Sequence, residues 1–238
     1  MRERGRHLTS PPTATRPGSA ASAASAAGLT PEQVALARLA ASWLLWYPDE
    51  ALAARLPEID RAVATLPSGP RQPLEDFLAH LDGTPLVDVQ RHYVAIFDMK
   101  RKACPYLSYW TNGDTRNRGV AILRFKQAYL QAGFDLGDEE LADHLAVVLE
   151  FAAVGDAVTG EALLAEHAAP IGLLREALAG LDSVYVHVLD AALATMGEIT
   201  PEVAARMVEL AGSGPPVEQV GLEPFGRGPV LVELGARR

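Results

Sequence analysis

The apolar residues of this chain recur with a helical period, and that repeat restricts the fold more than any other feature. Leu74, Phe77, Leu78 and Leu81 fall at i, i+3, i+4 and i+7, and Leu86, Val89, Tyr93, Ile96 and Phe97 continue the pattern. Such spacing lines side chains along one face of a 3.6-residue helix, whereas a strand would scatter them over both faces. Ala, Leu and Val dominate, and aromatics are only 6 % of 238 residues, which favours packed helices over sheets. The length suffices to bury a real core.

Order is expected to begin at Leu29. Thr30 and Gln33 form a capping box around Pro31 at the first helical position, and Leu29 can staple onto Val34. This helix should run to about Tyr47, where Pro48 stops it. Short helices are expected over 49–56 and 57–66, then a break across Pro67, Gly69, Pro70 and Pro73, then helices over 74–81 and 86–97. Met99 to Asp114 reads as a polar and aromatic connector. Helix resumes near Thr115, with Val120, Leu123, Gln127 and Leu130 along one stripe and Gly133 as the C′ residue. Asp138 should cap the next helix, whose apolar face is Leu141, Leu145, Val148, Leu149 and Ala152.

Further helices fit 160–167, 171–179, 182–196 and 201–210. Val184, Val186 and Val188 alternate as in a strand, but Tyr185, Val188, Leu189 and Ala192 also make a helical face, and the helical neighbours decide. The expected organisation is one all-α, multi-helix domain over 29–211. A disordered tail at 1–28 precedes it, and a loop-rich tail at 212–238, with a short apolar stretch at Val230–Leu234, follows it.

Charge is unevenly placed. The net charge of −9 hides a basic stretch at 91–126, with eight Lys or Arg against two Asp, and an acidic stretch at 127–238, with five against eighteen. The acidic half argues against nucleic acid as a general partner and suits a basic peptide. Cys104 is the single cysteine, which excludes an internal disulfide and any all-cysteine metal site, and fits a reducing cytoplasm. No apolar run approaches the roughly 20 residues that span a bilayer, and Met1–Ala27 lacks the apolar centre of a secretory signal.

Catalytic motifs are missing: no P-loop, no glycine-rich turn opening a helix, no serine elbow, and no His-x-x-x-His pair for a metal. Two polar constellations remain. In Thr111–Gly119, Gly113 allows a turn, Asp114 can cap the helix amides, and Arg116 and Arg118 cannot share a helix face. An internal ion-pair network and a polar anchor for a ligand are both open readings; we assign Arg116 to a structural network and Arg118 to ligand contact. In Glu139–Leu145, Glu140, Asp143 and His144 gather at a helix start, where negative charge is stabilised.

These residues carry a resemblance. His92-Tyr93-Val94, Phe97-Asp98, Tyr106-Leu107, Gly113 to Gly119, Glu140 to Leu145 and Leu149-Glu150-Phe151, in that order, resemble the NarJ family of nitrate reductase molybdenum cofactor assembly chaperones, relatives of the TorD and DmsD chaperones. Ala142 and Ala146 stand where family members often carry proline, and Asn112 where a histidine is frequent. The resemblance implies a TorD-like all-α fold without catalysis of its own. It also implies binding to the N-terminal segment of the catalytic (alpha) subunit of nitrate reductase, with help in molybdenum cofactor insertion but no stably bound cofactor. The expected client-peptide site is Asp114, Arg118, Glu140, Asp143, His144, Leu145 and Phe151. Two rival readings are a small hydrolase using Asp143, His144 and Cys104, and a nucleic-acid-binding domain using 91–126. No stable membrane association is expected.

Overall fold

The structure is a computed structural model that describes residues 28–137 and 140–217. Its elements are helices α1 (Pro31–Leu44), α2 (Glu50–Val63), α3 (Ser68–Asp82), α4 (Leu86–Tyr93), α5 (Tyr109–Asn112), α6 (Arg116–Gln131), α7 (Leu145–Val154), α8 (Ala157–Glu166), α9 (Ala168–Ala179), α10 (Tyr185–Leu193) and α11 (Pro201–Ser213). A π-turn (Val94–Asp98) and a 3-10 turn (Arg101–Ala103) follow α4. The fold is all-α; among the described residues the nearest thing to a sheet is a lone antiparallel bridge between Tyr106 and His144.

Helix α7 is the centre. Every residue from Leu145 to Ala152 is buried, the condition of a helix that is apolar on all sides and must be enclosed by others. Helices α1 and α8 pack directly on it, while α10 bridges α1, α3 and α9. Tyr185 of α10 anchors an aromatic cluster, with ring centroids 4.9 Å from both Phe77 and Phe97. A second, smaller cluster joins Trp110, Ala169, Leu173 and Leu210, bringing α11 against α9.

Many boundaries follow local chemistry. Thr30 and Gln33 form the reciprocal capping box, Thr200 caps α11 ahead of Pro201, and α10 is a helix with Tyr185, Val188, Leu189 and Ala192 buried. Four expectations are corrected. Residues 50–63 are one helix, because Pro57 sits on an exposed surface where water can take the place of the lost hydrogen bond. Helix α3 begins at Ser68, because Pro70 falls in the first turn, where an amide has no intrahelical partner to lose. The stripe on α6 faces outward, since Phe125 and Tyr129 occupy the buried side instead. The helix expected from about residue 138 starts only at Leu145; the capping role of Asp138, and the tails at 1–27 and 218–238, lie outside the described residues. No described helix is long and apolar enough to cross a membrane.

One buried charge ties α1 to segments far along the chain. Arg38 on α1 is 2 % exposed; its Nε donates to Thr195 Oγ1 (3.0 Å), its Nη2 donates to the Thr195 carbonyl (3.1 Å), and the same Nη2 is paired with Glu161. Beside it, Ser42 donates to the Ala146 carbonyl at 2.8 Å. Glu161→Ala should cost about 1.5–3 kcal/mol, the range for a hydrogen bond to a charged group. Replacing both partners, as Arg38→Met with Glu161→Leu, should recover much of that loss; equal melting of single variant and parent would refute the assignment.

His92 lies with Nε2 3.0 Å from Ser183 Oγ and its ring stacked on Tyr185. Burial, and then His80, lower its pKa from 6.5. The unfolded chain therefore takes the proton more readily, and stability should fall as pH drops below about 6.5. Chemical denaturation across pH 5–8 should show this slope, and His92→Gln should reduce it.

Candidate functional site

Two chain segments cross in front of the N-terminus of α7. Leu107 N–H donates to the Asp143 carbonyl and Leu145 N–H donates to the Pro105 carbonyl, both at 2.9 Å. Residues 141–144 form a turn, closed by His144 N–H to the Leu141 carbonyl at 3.1 Å. The bend is thus held by backbone pairing across to 105–107 and needs no proline at 142 or 146. Tyr129 adds a strut, its hydroxyl donating to the Ala142 carbonyl at 2.7 Å.

Asp143 is completely buried. Its Oδ2 accepts from the Ser108 hydroxyl at 2.5 Å and the Ser108 amide at 3.3 Å. Arg118 Nε stands 4.0 Å from the same oxygen, an ion pair too long to be a hydrogen bond. Arg118 is 17 % exposed, lies over the Tyr106 ring at 5.1 Å and the Tyr109 ring at 6.0 Å, and reaches Asp114 Oδ1 at 3.3 Å. Nε and Nη2 of Arg118 and Oδ1 of Asp143 are buried without a hydrogen-bond partner. Such groups are rare in folded proteins and draw attention to a site.

The rim is aromatic and charged. Tyr106 donates to Glu140 Oε1 at 3.2 Å; burial and that carboxylate raise the pKa of its hydroxyl. Arg101 Nε donates to the Tyr109 hydroxyl at 3.0 Å, and Arg101 Nη2 lies 3.6 Å from Asp114. His144 is interior: its Nδ1 accepts from the Ala146 amide at 3.1 Å, and its ring stacks on Trp46 with centroids 5.1 Å apart.

The structure therefore sorts the expected residues by depth. Asp114 is exposed, Arg118 and Glu140 are half-buried, and Asp143, His144, Leu145 and Phe151 are buried. The two arginines differ in depth. Arg118 turns inward to Asp143, and Arg116 is exposed, lining a cavity of ≈ 440 Å³ with Thr111, Asn112, Thr115, Asn117, Pro216 and Val217. Only one of two residues at i and i+2 can face inward on a helix, and the sequence does not say which. Asp114 pairs with arginines, and Thr115 holds the N-cap position of α6. Gly113 has φ +57°, as its turn requires. Sequence reasoning missed Ser108, Tyr106 and Tyr109 as partners of the site, because their roles depend on the crossing of distant segments.

For a hydrolase, burial pushes the Cys104 thiol up to about 11, against the smaller pulls of the Tyr106 backbone and Arg118. A thiol so protonated is a poor nucleophile. Among the described residues no cluster of His, Cys, Asp or Glu could hold a metal. Of the basic stretch, Arg91 pairs with Asp88, Arg101 with Asp114, and Arg118 with Asp114 and Asp143. Asp143→Ala should strip Ser108 of its acceptor and Arg118 of its buried counter-ion, and cost about 3–5 kcal/mol, as for other broken buried pairs. A melting curve within about 1 kcal/mol of the parent would show that Asp143 does not hold the crossing.

Residues 63–191 match the family model described as nitrate reductase delta subunit. NarJ of Bacillus subtilis, named as a nitrate reductase molybdenum cofactor assembly chaperone, is 34 % identical over 164 residues, or 66 % of this chain and 88 % of that protein. NarJ of Escherichia coli K12, a protein of the same designation, is 36 % identical over 115 residues, which span 47 % of this chain and 49 % of that protein. A crystal structure assigned to redox enzyme maturation, from Archaeoglobus fulgidus, superposes with a TM-score of 0.49 at 21 % identity, covering 68 % of this chain and 91 % of that one. These relatives are named as assembly chaperones, not as catalysts. The matched region takes in the crossing segments, Asp114, Arg118 and the whole of α7, and the chain belongs to the nitrate reductase delta subunit family.

Proposed function

We propose that this chain is a cytoplasmic assembly chaperone that binds the N-terminal segment of the catalytic subunit of nitrate reductase before that subunit docks on its membrane anchor. In this reading it supports insertion of the molybdenum cofactor into the client and keeps no cofactor itself. The observation that carries the reading is the Arg118–Asp143 cluster, which has buried donors and an acceptor left over beneath an aromatic, charged rim. A structural ion pair alone would be expected to satisfy its own groups. The client segment is an amphipathic peptide whose apolar side lies along the half-buried Tyr106 ring, with Tyr109 buried beneath it, and whose basic residues meet Asp114 and Glu140. Asp143, His144, Leu145 and Phe151 act from behind, holding the rim in place. Arg118 bridges the two layers.

The test is calorimetry of the full chain against the client's first roughly 30 residues, a length of one or two helices. Asp114→Lys and Glu140→Lys should each weaken binding by about two- to fivefold, the scale of an exposed ion pair, and flatten its salt dependence. Arg118→Ala should weaken binding further and also lower the melting temperature. If both charge reversals bind as the parent does at every salt concentration, the peptide docks elsewhere.

A further inference from the structure

Helix α6 carries an apolar face that the described fold leaves uncovered. Val120, Leu123 and Leu130 are 57, 55 and 59 % exposed. At 100° per residue they fall within about an 80° arc, with Gln127 between them and Arg124 and Lys126 on opposite flanks. The helix contains four basic residues and no acidic one, in a chain of net charge −9. One exposed aliphatic residue needs no explanation; three in line between cations make a docking face.

The course of the chain says what lies nearest to it. Pro216 and Val217 cross the N-terminal end of α6, lining a cavity with Thr115, Arg116 and Asn117. The passage is close enough that a Cβ on Gly113 would overlap the Pro216 carbonyl. Residues 218–238 thus set out from one end of the exposed face. They contain Val230, Leu231, Val232 and Leu234, together with Glu218, Glu223 and Glu233 and with Arg227, Arg237 and Arg238, three charges of each sign. The thirteen residues from 217 to 230 reach up to about 43 Å when extended, and Arg116 to Leu130 spans only about 21 Å of helix.

We propose that the segment 218–238 docks on this face of α6, setting Val230, Leu231 and Leu234 on Val120, Leu123 and Leu130, with Glu233 towards Arg124. A tethered segment meets its target at an effective concentration on the order of millimolar, so modest apolar contacts hold it. A second copy of α6 would instead set cations against cations, and an anionic membrane would meet a chain of negative net charge.

The experiment places a thiol probe in the middle of the face, as Gln127→Cys in the full chain, and follows its alkylation; half-buried Cys104 is the background, measured on the parent chain. Docking predicts slow labelling at 127, independent of protein concentration. Adding Leu231→Asp with Leu234→Asp, or Leu123→Asp alone, should raise the rate at least about fivefold. All these positions avoid the described core, and matching melting curves will certify that each variant is folded. Equal rates with and without the aspartates overturn the proposal. So does protection that grows with protein concentration, which assigns the face to a second copy, or protection that appears only with anionic vesicles.

Discussion

Helix α7 buries its first eight residues, Glu150 among them, and the rest of the molecule is arranged around that fact. Leu145, Ala146, Val147, Val148, Leu149, Phe151 and Ala152 turn apolar groups in every direction, so a single partner helix could not shelter it. Polar chemistry is therefore displaced to its N-terminal approach. His144 and Asp143 sit there with almost no exposure, held by hydrogen bonds from Ala146 and Ser108. Burying a carboxylate costs several kcal/mol unless it is paired, and Asp143 meets that cost only by recruiting Ser108 and Arg118 from segments far away in the chain.

That recruitment links fold and site. The turn at 141–144 and the segment at 105–107 are joined by two backbone hydrogen bonds, and the Asp143 carboxylate fastens the residue that follows them. Arg118 approaches from α6 between Tyr106 and Tyr109. One cation is thus shared between an interior anion and an exposed one, Asp143 and Asp114. A ligand that competes for Arg118 at the rim is coupled electrostatically to the entrance of the central helix. Surface binding and interior order are not independent in such an arrangement.

Much of this was legible in the residues. Helical periodicity identified α1, α3, α4, α10 and α11, and the capping box at Thr30 fixed the first boundary. The ordered motifs gave two constellations, one holding Asp114 and Arg118 and the other Glu140 and Asp143; Arg118 lies beside both Asp114 and Asp143, and Tyr106 joins Glu140. What stayed hidden has a common cause. Pro57 and Pro70 read as breaks because propensity is local, whereas exposure and position in the helix decide the cost. The face of α6 was misjudged because three aliphatic residues outnumber Phe125 and Tyr129, although the aromatic pair buries more surface. The inward turn of Arg118, and the tie from Arg38 to Thr195 and Glu161, rest on contacts across the sequence that no short-range pattern encodes.

The π-turn after α4 has a consequence for how chains of this kind can change length. The Met99 amide bonds to the Val94 carbonyl, five residues back, so Val94–Asp98 stores one residue more than an α-helix would need. Deleting exposed Ala95 would close Val94–Asp98 into a regular helix and leave the chain beyond it in place, because the wide turn takes up its extra residue locally. A residue can thus be lost at the π-turn without taking 105–107 out of register with 141–145. A residue lost from 105–107 itself would break that pairing, so the same change in length is benign in one place and severe a few residues further on.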